Sequence, residues 1–434
     1  MIRGPLLNPL ADGTVAFTRD AVIEWDDRAI ITFAGAFGEF GRANPQAAAQ
    51  ARRSVGVLLP PLADCHIHIP QHPIRGRFLE EIEADPPQGR LIAGLNRNVF
   101  PAEARCADPA HAEQVVQEFL EDTLRNGVIG GAAYMTVHPQ AAAVALRMLP
   151  ATWSVGLVLM NMNCPQYLRT DEASIERDIR ALAEEFGRRV IVTDRFAVTS
   201  TSPLRRRGAE LARELGLRMQ THLNEQPAEK ELVEKTLYPQ AAHYTDVYRR
   251  DGLLDRSPIM AHCIHNHPEE LAMLRDHGAT IAHCPVSNAL LGSGVMPLDA
   301  VVDHGIDYAL CTDVGASPTT SLLVEMAQFL HVHRGRSKHA TASEALQRAT
   351  RAPARIMRAA WSGTLEPGQP ASFIEIECDP ARLGSDDVEQ VIGQALLADA
   401  PAEEVHARVD QLEGRVMSVR IEGRLVFQRE TRSA

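Results

Sequence analysis

Apolar positions in the middle of the chain fall into short runs rich in Val and Ile. Between them lie longer stretches in which apolar residues recur every three or four positions. The short runs are Val57–His68, Ile129–Val137, Ser154–Met160, Val190–Phe196, Leu217–His222, Ile259–Ile264, Thr280–Cys284 and Asp307–Thr312. Their length and β-branched content predict strands, while Ala110–Asn126, Ala173–Phe186, Leu204–Leu215, Pro268–His277 and Ser321–His333 carry the helical period. Helix boundaries agree: Pro268 suits a first turn, Glu269 and Glu270 complement the N-terminal dipole, and Gly278 stops the helix. A β-α-β-α alternation implies a parallel sheet covered by helices. Eight runs predict an α/β fold of the closed (β/α)8 TIM-barrel type, with a doubly wound open sheet as the alternative.

The two ends read differently. Thr14–Phe17, Ala21–Trp25 and Ile30–Phe33 are β-like runs punctuated by Asp and Gly, and residues 44–53 suit a short helix or linker. Near the other end Ser372–Glu377 and Val416–Phe427 are β-patterned, with a turn at Gly423. The expectation is a discontinuous small β-sandwich domain from residues 1–58 together with 362–434, and a barrel domain over 59–361.

Composition narrows the possible partners. A formal net charge of −12 argues against nucleic acid, whose phosphates require a basic face. No run of eighteen apolar residues marks a membrane span. Seven scattered cysteines without a CxxC pair, and an N-terminal stretch without a signal-peptide pattern, lead to the expectation of reduced thiols and a cytoplasmic protein.

In a (β/α)8 barrel the chemistry gathers at the C-terminal ends of the strands. Here the first run ends Asp64-Cys65-His66-Ile67-His68, the fifth in Thr221-His222, the sixth in Ala261-His262, the seventh in Ala282-His283 and the eighth in Thr312-Asp313. Strand alternation puts His66 and His68 on one face, about 7 Å apart along the chain, where two imidazoles can share an ion. One histidine at such a place is ordinarily a satisfied core residue. Four strand ends carrying His and one carrying Asp make a site the better reading. His265 and His267 read as helix-entry residues, His283 as a support behind the site, and His331, His333 and His339 as surface.

The order of these motifs resembles the amidohydrolase superfamily: LLPPLADCHIHIPQ, then THLNE, MAHCIH, IAHCPVSN and LCTDVGA. Within it the chain is most similar to guanine deaminases, through HIHIPQ, FPAEARCADP, TVHPQ, NCPQYL, TDRFAVTSTSP, YTDVYRRDGLL and IAHCPVSNALLGSGVMPL, spanning about residues 62–321. The resemblance implies His66, His68, His222 and Asp313 as metal ligands. Binuclear relatives bridge two ions with a carboxylated lysine on the fourth strand. Val190–Phe196 has none, and the only lysines are Lys230, Lys235 and Lys338. One divalent metal ion is therefore implied; Zn2+ suits imidazole and carboxylate donors, and Fe2+ fits as well. Asp313 would accept a proton from the attacking water, His262 would orient it, and Glu225 in HLNE would deliver a proton to a ring nitrogen. Gln71, Arg195 and Phe196 would bind the heterocycle.

Three departures from the family pattern are visible: GLNRNVFPAE lacks the usual aromatic-rich stretch, Asp194 replaces a Pro before the Arg-Phe pair, and VGASPTTS is poorer in Gly. The expected activity is hydrolytic deamination of guanine to xanthine and ammonia, by a homodimer acting on a small heterocycle with no nucleic-acid or membrane partner. A pterin or other amino-azaheterocycle is the first alternative. A catalytically silent, metal-retaining binding protein is the second.

Overall fold

The computed structural model describes residues 1–84, 86, 89–397 and 402–430. Eight parallel strands, Leu62–His68, Val128–Tyr134, Trp153–Leu159, Val190–Asp194, Arg218–Leu223, Ile259–His262, Thr280–His283 and Tyr308–Leu310, lie side by side in chain order. Beyond the last strand, the Asp313 N–H donates to the His66 carbonyl (2.9 Å) and the His68 N–H to the Val314 carbonyl (3.2 Å). These bonds bring the eighth strand's end back to the first and close the barrel.

Helices follow the strands much as the apolar period predicts: Pro109–Arg125, Ile175–Phe186, Ser202–Leu215, Pro268–Asp276 and Leu322–His333. The Ala-rich helix Pro139–Met148 lies between the second and third strands. His267 sits at the N-cap of its helix, as expected of an entry residue. His333 is buried rather than on the surface, its ring 5.0 Å from Phe329.

The chain ends build a second sheet, ordered Arg424–Gln428, Val416–Ile421, Phe373–Glu377, Gly56–Leu59, Ile2–Pro9, Val15–Trp25 and Ile31–Ala36, with Arg52–Arg53 also against Ile2–Pro9. N- and C-terminal segments meet where Gly56–Leu59 pairs antiparallel with Phe373–Glu377. Ile2, Leu6, Ile23, Ile31, Leu58 and Phe373 bury one cluster on this sheet.

By contacts the chain divides into two compact units. One comprises Met1–Ala63, Glu121–Ile129 and Thr320–Ala434; the other comprises Asp64–Leu120 and Gly130–Thr319. All seven cysteines are free and buried. Among the described residues, no helix is long and apolar enough to cross a membrane.

Candidate active site

Every candidate residue of the site lies in the unit built from Asp64–Leu120 and Gly130–Thr319. Alternation along Leu62–His68 sends His66 and His68 to one side, with ring centroids 5.0 Å apart. Asp64, two residues earlier, accepts the His66 N–H (3.0 Å), the Thr312 N–H (3.1 Å) and the Thr312 hydroxyl (2.5 Å). Full burial nevertheless pushes Asp64 up to about 6.

His222, one residue before the end of the fifth strand, has Nδ1 2.7 Å from the Arg195 carbonyl oxygen. The Nδ1–H donates there, leaving Nε2 as the unprotonated nitrogen, 3.3 Å from Arg195 Nη1. Asp313 follows the eighth strand in a left-handed conformation, φ 55°. Its Oδ1 lies 3.2 Å from His66 Nε2 and 3.1 Å from His68 Nε2, and its Oδ2 accepts the Ser287 hydroxyl at 2.6 Å.

These four side chains fit a divalent cation. One donor atom from each of His66, His68, His222 and Asp313 lies within 4.8 Å of all the others, and all four residues are buried. Both ring nitrogens of His66 and Nδ1 of His68 are buried without a hydrogen-bond partner. Burial lowers all three imidazoles, His68 to about 3, so their lone pairs are free for a metal. Burial alone would raise Asp313, but the His66 and His68 rings beside it hold it well below the usual carboxylate range. Three neutral imidazoles and one carboxylate are donors that zinc accepts. The fourth strand, Val190–Asp194, offers no lysine; Asp194 at its end takes hydrogen bonds from Ser200 and Thr221.

Two more titratable groups face the cluster. The Glu225 carboxyl takes the Ser293 hydroxyl on Oε1 at 3.0 Å, and its Oε2 lies 3.6 Å from His262 Nε2. Burial, reinforced by the negative Asp313, pushes Glu225 up to about 8. The loop carrying it is tied down from behind. Glu229 accepts the Glu225 and Gln226 N–H groups (3.0 and 3.2 Å), and the buried Lys230–Glu270 pair holds Asn224. His262 has Nδ1 2.9 Å from Asn288 Oδ1, so Nδ1–H donates to the amide and Nε2 faces Glu225 and Asp313, the latter at 4.0 Å. Asn224, His262, Cys263 and Asp313 all hold positive φ at strand ends. That is where backbone strain commonly serves a site.

Gln71, Arg195 and Phe196 line one cavity with His68, His222, Glu225, His262 and Asp313, and Phe78, Leu91, Leu95 and Leu291 supply its apolar wall. The structure thus brings every residue proposed from the sequence into one pocket, except His66, which stands behind it in the donor cluster. His283 is buried beside Tyr308, their rings 6.5 Å apart, and does not line the cavity.

Several contributors are absent from the sequence reading. Tyr134 packs its ring 4.5–5.1 Å from His66, His68 and His222. Ser287, Asn288 and Ser293 each orient a site residue. Glu103 accepts from Gln71. The first three polar groups are foreshadowed by the SN and GSG that follow the seventh strand, and Glu103 by its motif FPAE.

A family model described as the amidohydrolase family matches residues 57–414. The guanine deaminase of Escherichia coli is 31% identical over 335 residues, 74% of this chain and 73% of that protein. The guanine deaminase of Mus musculus is 32% identical over 309 residues, 68% of this chain, and the match spans 66% of the mouse protein's length. A solved structure of guanine deaminase from C. acetobutylicum with bound guanine in the active site superposes with a TM-score of 0.82. It is 23% identical, over 98% of this chain and 99% of that one.

Proposed function

The chain belongs to the amidohydrolase family, and from that premise we propose that it hydrolyses guanine to xanthine and ammonia. One observation carries the reading. Glu225, its carboxyl pushed up to about 8 by burial, lines one pocket with His68, His222, His262 and Asp313, beside a buried donor cluster that His66 completes.

His66, His68, His222 and Asp313 would hold a divalent ion, which would supply Lewis acidity and lower the pKa of a water in the site from 15.7 towards roughly 7. The remaining work falls to the chain's own groups. Arg195 and Gln71 hold the planar ring by its polar edge, and Phe196 packs against it. Glu225 gives its proton to the ring nitrogen beside the amino-bearing carbon, which makes that carbon electrophilic. Water adds there as Asp313 takes a proton from it and His262 Nε2 holds the attacking oxygen in line. The C–N bond breaks as the amine takes the proton that Asp313 accepted and leaves as ammonia, while the added hydroxyl returns a proton to Glu225 and the carbon becomes the second carbonyl of xanthine.

The test is ammonia release from guanine by metal-loaded wild type beside Glu225→Gln and Arg195→Ala. Turnover lost in the first and sharply weakened in the second supports mechanism and substrate together. Turnover of a pterin but not of guanine keeps the deaminase and replaces its substrate. Bound metal without turnover of any amino-heterocycle makes the chain a silent binding protein. We further propose zinc as the native ion, with iron suited to the same donors, and a cytoplasmic homodimer, by similarity to the guanine deaminases. Metal analysis and light scattering of the purified protein check the ion and the dimer.

A further inference from the structure

Behind the heterocycle pocket stands a carboxylate that does not touch the cavity. Glu103, on the short helix Phe100–Ala104, is 1% exposed, and its Oε1 accepts the Gln71 Nε2–H at 2.9 Å. The same oxygen lies 3.7 Å from Arg195 Nη2. A carboxylate only accepts, so it dictates which end of the Gln71 amide it meets. With Nε2 turned toward Glu103 and one of its two N–H groups spent there, the carbonyl Oε1 is the end of the amide turned away from Glu103 and able to accept from a ligand. That oxygen lies over Gly315, where an added Cβ would sit 2.0 Å from it, so the backbone has been cleared to hold this rotamer. Arg195, whose Nε is buried without a partner, can only donate.

We propose that Glu103 is a positioning residue that fixes the hydrogen-bonding sense of the pocket. It locks Gln71 as an acceptor and steadies Arg195 as a donor. The site thereby selects heterocycles that carry a ring N–H beside a C=O over analogues in which an amino group replaces that carbonyl. In such an analogue the ring nitrogen accepts and the exocyclic group donates, so both contacts become mismatched. Sites built to hydrogen-bond a particular group reject analogues lacking it strongly, because the buried partners are left unpaired.

The proposal rests on the deaminase reading, and its test separates the two. Ammonia release is measured by the holoenzyme on two matched pairs: guanine against the diaminopurine with an amino group in place of its carbonyl, and pterin against the corresponding diaminopteridine. Wild type is expected to prefer the carbonyl member in kcat/KM. In Glu103→Gln, whose amide can donate to or accept from Gln71, that preference is expected to shrink at least roughly tenfold, through loss on the carbonyl member more than through a common loss on both. Adding Gln71→Ala to Glu103→Gln is expected to cost no more preference than Gln71→Ala alone, because the two act as one unit. If Glu103→Gln does not fold, Glu103→Asp keeps a buried carboxylate but draws it back from Gln71, and the preference is expected to shrink in the same direction. Equal losses on both members of a pair, with the preference unchanged, would make Glu103 merely structural and overturn the proposal while leaving the deaminase intact. Turnover confined to the pterin pair would change the substrate, and the same ratio would still decide Glu103. No turnover of any of the four compounds would overturn both readings.

Discussion

Glu225 holds its proton at neutral pH because burial and the negative Asp313 both oppose ionisation, outweighing the Ser293 hydrogen bond. A general acid is competent only while protonated. Its contribution is thus present below the raised pKa and lost as pH climbs through it. With guanine, kcat/KM is expected to fall above about 8 with the slope of a single ionisation; a rate that keeps rising through that region would remove Glu225 from the role. Asn288 makes a second test. It holds His262 Nδ1–H, so Asn288→Ala frees the ring to turn and to change tautomer. Turnover is expected to drop roughly a hundredfold, with metal content unchanged by elemental analysis; loss of metal instead would place Asn288 in the ligand frame. At this scale the sequence was legible where chemistry sits on a periodic element. The HxH pair follows from strand alternation, and His222, His262 and Asp313 from strand ends. Glu103, Asn288 and Ser293 bond to other side chains across loops, and no period in the sequence announces such a contact.

The element scale shows how a run can be read correctly and still be divided wrongly. Val57–His68 predicts one strand, yet the structure has two. Gly56–Leu59 joins the sheet of the chain ends and Leu62–His68 opens the barrel, because Pro60 and Pro61 cannot donate to a continuing ladder. The opposite happens at Thr14–Phe17 and Ala21–Trp25, which are one strand, Val15–Trp25, despite the polar residues between them. Ile2–Pro9 escaped notice because Pro5 interrupts its pattern; the register shifts between Gly4 and Leu6, a bulge that absorbs the proline. Gly131, on the second barrel strand, is a close approach of the same kind. At φ 147° its Cβ position would lie 1.7 Å from the Asp64 carbonyl oxygen. Gly131→Ala must push the second strand away from the first, just where Asp64 sets up the His66–His68 pair. A loss of about 3 kcal/mol is expected, read as a lowered midpoint in denaturant. An unchanged midpoint would mean that the strands can part without penalty.

For the whole molecule, the alternation of strands and helices and the β character of both ends were enough to predict a barrel and a second sheet built from the chain ends. Which buried groups would carry protons was not, because that depends on packing. The site fills the barrel mouth with groups whose charge the fold suppresses, and two sets of them oppose each other. His66, His68 and His222 have pKa values lowered from 6.5, His68 to about 3. Below 6.5 the unfolded chain binds protons that the fold excludes, so stability present above that value is lost on acidification. Asp64, Glu229 and Glu225 are raised by burial to about 6, 7 and 8. Their contribution is fully present below the ordinary carboxylate range and is lost as pH rises through those values. The slopes oppose each other between 4.5 and 6.5, where the metal-free protein should be most stable. Above 6.5 only the carboxyls act, so thermal melts with a chelator are expected to show Tm falling by several degrees from there to about 8. Glu229→Gln keeps an oxygen to accept the Glu225 and Gln226 N–H groups but removes the ionisation. It should flatten the part of that fall around neutrality while leaving the acid limb as in wild type. A wild-type Tm that climbs from 6.5 to 8, or a variant with the same alkaline slope, would show that these carboxyls ionise inside the fold without cost. In that case Glu225 would not be holding a proton for catalysis either.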